Sequence, residues 1–119
     1  AQGFGIPGVS VDGTDFFAVY EVAGAIIDRA RAGGGPALLE CEMVRFFGHF
    51  EGDAQTYRGE GETDQLRESR DCLKRFRSRV TGSGQLTDAQ LDEVDAEVGG
   101  LIERAVEDAK AAPKPGGMP

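Results

Sequence analysis

Cysteine is scarce in this chain of 119 residues, and the two present, Cys41 and Cys72, stand far apart in no metal-ligand spacing. A disulfide scaffold is thereby excluded, and reduced thiols in a cytoplasmic protein are the expectation. Basic residues are outnumbered, with 13 Lys and Arg against 21 Asp and Glu, a net charge of −8 and a pI near 4.6. Sequence-independent binding of nucleic acid needs clustered cations against phosphate, so that class is excluded. The acidity reads as a solubility device before it reads as a partner signal. No apolar run approaches the ~20 residues of a membrane span, and no signal-peptide pattern opens the chain. The sequence therefore reads as soluble and cytoplasmic, with no membrane partner. Its length fits one domain, at roughly 100 to 200 residues each. Histidine occurs once, at position 49.

Glycine is in excess, at 18 residues, where about 7% is usual. Its clusters near residues 3 to 8, 33 to 35, 82 to 84 and 116 to 117 divide the chain into segments. The first cluster, Gly3-Phe4-Gly5-Ile6-Pro7-Gly8, satisfies a G-x-G-x-x-G pattern. A dinucleotide fingerprint needs a strand before it and a helix opening from it. Here Pro7 withholds an N–H and Val9-Ser10-Val11 reads as a strand, so the cluster is a turn into that strand. Asp12-Gly13 ends the strand, and Thr14 or Asp15 can cap the helix that follows. Phe16, Val19, Tyr20, Ala23, Ile26, Ile27 and Ala30 recur at helical spacing, a packing stripe that ends at Gly33-Gly34-Gly35-Pro36. Residues 37 to 44 alternate as a second strand.

Strand, helix and strand in this order predict a βαβ unit with parallel strands and a right-handed crossover. Two parallel strands cannot bury both their faces. With no third convincing strand, the fold class is α/β, read as the remnant of a larger parallel-sheet domain or a piece completed by a partner.

The second strand runs into residues 45 to 58, which hold His49, Arg45, Arg58, Glu51, Asp53 and the aromatics Phe46, Phe47, Phe50 and Tyr57. Ligands bind outside the carboxyl ends of parallel strands, so His49 stands where a site belongs. A solvated surface histidine is the competing reading, and Asp53 and Arg58 can simply pair with each other. Downstream, a short polar helix is expected from Glu62 to Glu68, and Asp71 caps another with Leu73, Phe76 and Val80 on one face. Arg70, Lys74, Arg75, Arg77 and Arg79 form the one basic patch, either a solvated face or a dock for an acidic partner. Thr87 and Gln90 form a capping box for a long acidic helix with a soft point at Gly99-Gly100 that Pro113 ends.

Taken together, Gly5-Ile6-Pro7-Gly8, Val11-Asp12-Gly13, Asp15, Gly35-Pro36, Arg45-Phe46-Phe47-Gly48-His49 and Tyr57-Arg58 resemble the alpha subunit of thiamine-diphosphate-dependent 2-oxo acid dehydrogenases. Gly48-His49-Phe50-Glu51-Gly52-Asp53 with Arg70-Asp71-Cys72-Leu73 looks most like the acetoin dehydrogenase branch, and the resemblance spans residues 3 to 113. It implies a βαβ remnant of the thiamine-diphosphate-binding domain over residues 1–59, with the active-site loop at 45–58. A helical extension over 60–113 and a flexible tail over 114–119 complete the implied division. It also implies an oxidoreductase in which the cofactor's carbanion attacks acetoin, acetaldehyde leaves, and the two-carbon unit passes as acetyl to a lipoyl group.

His49 matches the histidine that lies near the cofactor diphosphate and serves acyl transfer, while Arg45, Asp53, Tyr57 and Arg58 match loop-supporting positions. The implied partners are a beta subunit and a lipoyl-bearing dihydrolipoyl acyltransferase. The family's Gly-Asp-Gly run and following Asn, which hold Mg²⁺ and the diphosphate, have no counterpart here, so no metal ligand carries over. Phe50 stands where animal pyruvate enzymes carry a phosphorylatable Ser. The chain is thus expected to be a C-terminal piece, inactive alone. A pyruvate or branched-chain 2-oxo acid enzyme is the alternative within the family, and a non-catalytic interaction module is the alternative outside it.

Overall fold

The structure, a computed structural model, describes residues 1–114 and 116. Apart from Lys114 and Gly116, the tail expected over 114–119 lies outside the described residues. The chain forms two compact units, Ala1–Ser78 and a second beginning at Arg79.

In the first unit a 3₁₀ turn, Gln2–Phe4, is closed by Gly5 in the left-handed region at φ 67°. It leads into strand β1, Gly8–Asp12. The G-x-G-x-x-G cluster is therefore a turn into a strand, as its Pro7 required. Helix α1, Phe16–Arg31, opens at Asp15, whose carboxylate accepts from the N–H groups of Phe17 and Ala18 at 3.0 and 3.2 Å. It closes through Gly33 and Gly35 at φ 82° and 75°, with Arg29 donating to the Gly35 carbonyl at 2.9 Å.

Strand β2, Leu38–Glu42, pairs with β1 in parallel, from Gly8 opposite Leu38 to Asp12 opposite Glu42. Pro7 lacks an N–H, yet its carbonyl accepts from Leu38 at 2.9 Å and starts the ladder. At the other end Gly13 donates to the Glu42 carbonyl at 2.9 Å. A Cβ on Gly13 would lie 2.7 Å from Met43 Cγ, so the close approach there requires glycine.

The sheet has two strands, and its apolar residues stay largely in water: Leu38 is 51% exposed and Val9 38%. Helix α1 packs on β1 and, through its rings, on α3, Cys72–Gly82, which follows the short helix α2, Glu62–Arg70. Phe76 of α3 stacks on Phe17 at 5.7 Å between ring centroids and meets Phe16 edge-on at 5.2 Å. The α1 stripe is packing at these rings, whereas Tyr20 remains 72% exposed. Asp71 caps α3 as expected, accepting from Leu73 and Lys74.

The second unit is dominated by helix α4, Asp88–Ala111, which runs unbroken through Gly99-Gly100. Its capping box is complete, with Thr87 Oγ1 accepting from the Gln90 N–H and Gln90 Oε1 accepting from the Thr87 N–H. It stops one residue before the extended Ala112, the conformation that Pro113 imposes on its predecessor. Among the described residues no helix is long and apolar enough to cross a membrane.

Candidate active-site loop

The chain leaves the carboxyl end of β2 into residues 45–58, whose order depends on Asp53. Its Oδ2 accepts from the His49 N–H at 2.8 Å and from the Tyr57 hydroxyl at 2.9 Å. Its Oδ1 accepts from the Gln55 N–H at 2.9 Å. These donors hold the Asp53 carboxyl below the usual carboxylate range, the His49 backbone bond contributing most. The Tyr57 phenol is raised, chiefly because its proton is shared with Asp53.

Gly48 is where the loop closes most tightly. A Cβ there would sit 2.6 Å from Asp53 Cβ. Gly52 at φ 92° and Gln55 at φ 50° make the two left-handed steps of the turn, the second uncommon for a residue with a side chain. Gln55 Oε1 is enclosed with no hydrogen-bond partner.

Arg45 Nη1 lies 2.9 Å from His49 Nδ1. A guanidinium has only donors, so Nδ1 is the acceptor, and the neutral ring carries its proton on Nε2. Arg58 closes the loop at its far end, donating to the Arg45 carbonyl and, at 3.1 Å, to Thr63 Oγ1. The pairing of Asp53 with Arg58 that the sequence left open is therefore not how Arg58 is used. All five residues singled out in the sequence are brought together: Asp53, Arg45, Tyr57 and Arg58 surround and order the segment that presents His49.

Two further contributors were not among the site residues read from the sequence. Arg67 of α2 places its guanidinium 4.7 Å from the Phe47 ring centroid and 5.4 Å from that of Phe46. Asp12, at the end of β1, receives Arg70 at 3.0 Å and Arg75 at 2.9 Å, with the Thr14 hydroxyl at 2.6 Å. Thr14 is 2% exposed and also accepts from Arg75. The Thr14 hydroxyl first, then Arg75, hold the Asp12 carboxyl well below its ordinary range. Arg70 and Arg75 thus turn inward onto a carboxylate, and Lys74 pairs with Glu68 at 3.1 Å. Arg70 and Arg75 are thus committed to a carboxylate of this chain, whereas Lys74 and its partner Glu68 form an exposed surface pair. The signal in the sequence was their charge; its destination was not visible.

The donor set suits an anion. Arg45 and the imidazole it touches are the groups that would meet a phosphate. Among the described residues no group of three or more His, Cys, Asp or Glu is placed to hold a metal ion.

Residues 1–117 match the family described as dehydrogenase E1 component. The chain is 66% identical over 116 residues to the alpha subunit of acetoin:2,6-dichlorophenolindophenol oxidoreductase from Cupriavidus necator, covering 98% of this chain and 35% of that relative. It is 42% identical to the subunit of the same name from Bacillus subtilis, covering 97% and 34%. Against the pyruvate dehydrogenase E1 component subunit alpha of Rhizobium meliloti the identity is 34%, covering 94% and 32%. The chain spans about a third of the length of these curated relatives.

Proposed function

Because this chain belongs to the dehydrogenase E1 component family, we propose that it serves as part of a thiamine-diphosphate-dependent alpha subunit that cleaves acetoin and passes the acetyl group to a lipoyl domain. The acetoin assignment is favoured over a pyruvate one by the identities, 66% against 34% and 39%. On this reading residues 1–59 are the last part of the cofactor-binding domain and 60–113 a helical extension. The partners are a beta subunit and a lipoyl-bearing acyltransferase, and the setting is cytoplasmic.

One observation supports the reading most: His49 is fixed through Nδ1 by Arg45 and through its backbone by Asp53, at 2.9 and 2.8 Å. Its Nε2–H is then the donor that the ring presents. Bound thiamine diphosphate supplies the carbanion chemistry that breaks the carbon–carbon bond. Arg45 and His49 would meet the anionic end of that cofactor. The His49 Nε2–H would donate a hydrogen bond to the sulfur freed as the lipoyl S–S bond, the oxidant of the step, breaks and its other sulfur takes the acetyl group, the proton that the freed sulfur finally carries coming from solvent. Asp53, Tyr57 and Arg58 keep the imidazole in place and touch no reactant. No step is assigned to Mg²⁺.

The test is His49→Ala in the enzyme assembled with its beta subunit. Lipoamide-linked turnover is expected to fall by roughly 10²-fold or more, with cofactor affinity much less changed. Unaltered turnover removes His49 from this role. A wild-type complex that forms but turns nothing over supports the alternative, a non-catalytic interaction module.

A further inference from the structure

Helix α2 touches the loop and the sheet along a single stripe. Thr63, Arg67 and Arg70 stand at i, i+4 and i+7, which places them one above another on one helical face. Each has a partner outside the helix. Thr63 Oγ1 accepts from Arg58, at the end of the loop, at 3.1 Å. Arg67 lies over Phe47 and Phe46, at the start of the loop. Arg70 reaches Asp12, at the end of β1, at 3.0 Å. The polar composition of α2, ETDQLRESR, offers little apolar surface for packing, so these contacts are what fix its place.

We propose that Arg67 is a positioning residue for the His49 loop: its guanidinium, laid across the Phe46 and Phe47 rings, seats the start of the loop on a helix that Arg70 fastens to the end of β1. The ring positions explain why two adjacent aromatics precede Gly48. The chain bends at Phe47, and one planar cation at 4.7 and 5.4 Å meets both rings. Phe47 remains 71% exposed with Arg67 beside it, and Phe46 is half-buried, so the guanidinium is the contact shared by the two rings. Between these rings and His49 stands only Gly48, which is held close against the Asp53 side chain. Movement of the rings is therefore transmitted to the imidazole and to Arg45, which flanks the pair on the other side.

The seating is independent of the chemistry assigned to His49; its effect on turnover rests on that reading. The experiment is amide hydrogen exchange on the full chain, followed at the His49 and Gln55 N–H groups bonded to Asp53. Arg67→Met keeps a long apolar stem and removes the cation. It is expected to speed exchange at these amides by roughly fivefold, with α1 amides unchanged. Arg67→Lys, which restores a cation over the rings, is expected to recover most of the protection. Equal loop protection in wild type and Arg67→Met, or failure of Lys to do better than Met, overturns the proposal. If Arg67→Met also loosens α1, Phe47→Leu gives the same readout with α2 untouched: faster loop exchange supports the seating, and unchanged exchange overturns it. In the assembled enzyme, a loosened loop with intact lipoamide-linked turnover upholds the seating and removes the role given to His49.

Discussion

Asp53 gathers three donors onto one carboxylate, and this has a consequence in pH. The charged form is what those donors stabilise, so its pKa lies below the ordinary value in the ordered loop. As pH falls, the disordered loop takes up a proton first, and the order contributed by Asp53 is lost from about pH 4 downward. Tyr57 acts in the opposite sense. Its raised pKa means that the neutral phenol is the stabilised form, so order is lost as pH rises beyond about 10. The loop is therefore expected to be most protected between these limits. Exchange at the His49 and Gln55 amides, corrected for the intrinsic pH dependence of exchange, should trace a plateau with a fall on each side. Tyr57→Phe should abolish the alkaline fall and leave the acid one. An acid limb that is unchanged in Asp53→Asn would remove Asp53 from the centre of the loop. Gly48 belongs to the same scale, because only a residue without Cβ lets the chain pass so close to Asp53.

The elements are joined by charge at the point where the sheet ends. Asp12 accepts from Arg70 and Arg75, partners 58 and 63 residues away in sequence, and thereby ties β1 to α2 and α3. The Asp12 side chain is 40% exposed, and each arginine 36%, so solvent screens the attraction. Asp12→Asn is therefore expected to cost about 1 kcal/mol, not the several of a buried pair. The loss should shrink in 1 M salt, where the Debye length is about 3 Å. A thermal midpoint unmoved by Asp12→Asn in low salt would show that the junction rests on the Phe17–Phe76 stack instead.

These contacts also mark how far the sequence could be read. Caps and stops were legible because their causes lie within a few residues: Asp15 before α1, Asp71 before α3, Thr87 with Gln90 before α4, and Pro113 after it. Period and punctuation likewise gave the parallel βαβ unit. The loop residues could be named, yet their partners could not. Arg58 turns to the Arg45 carbonyl, Arg67 to two rings some twenty positions earlier, and Arg70 with Arg75 to Asp12. Such pairings depend on where whole elements come to rest, and neither residue type nor local spacing encodes that.

At the scale of the molecule the decisive fact is how much apolar side chain stays in water. Among the described residues only Val80 is a buried hydrophobic, and Thr14 the one buried polar residue. In the first unit Phe16, Met43 and Leu73 are 52%, 65% and 74% exposed. A groove of about 370 Å³ there is lined by Gly13, Phe16, Val19, Cys72, Leu73 and Phe76. The sheet has two strands, and parallel sheets are stable only when helices or further strands cover both faces. Exposed apolar area on this scale drives association, because each Å² withdrawn from water is worth roughly 25 cal/mol. The chain by itself is therefore expected to self-associate at micromolar concentration and to bind a hydrophobic dye. Addition of the beta subunit of the proposed enzyme should suppress both, as the same surfaces find their covering. Sedimentation velocity across a hundredfold range of concentration measures the first effect, and dye fluorescence with added beta subunit the second. A monodisperse, dye-silent monomer at the highest concentration would mean that these faces are tolerated in water, and the need for a covering partner would fall with it. Self-association that the beta subunit leaves untouched would keep the argument from exposed area and remove that subunit as the answer to it.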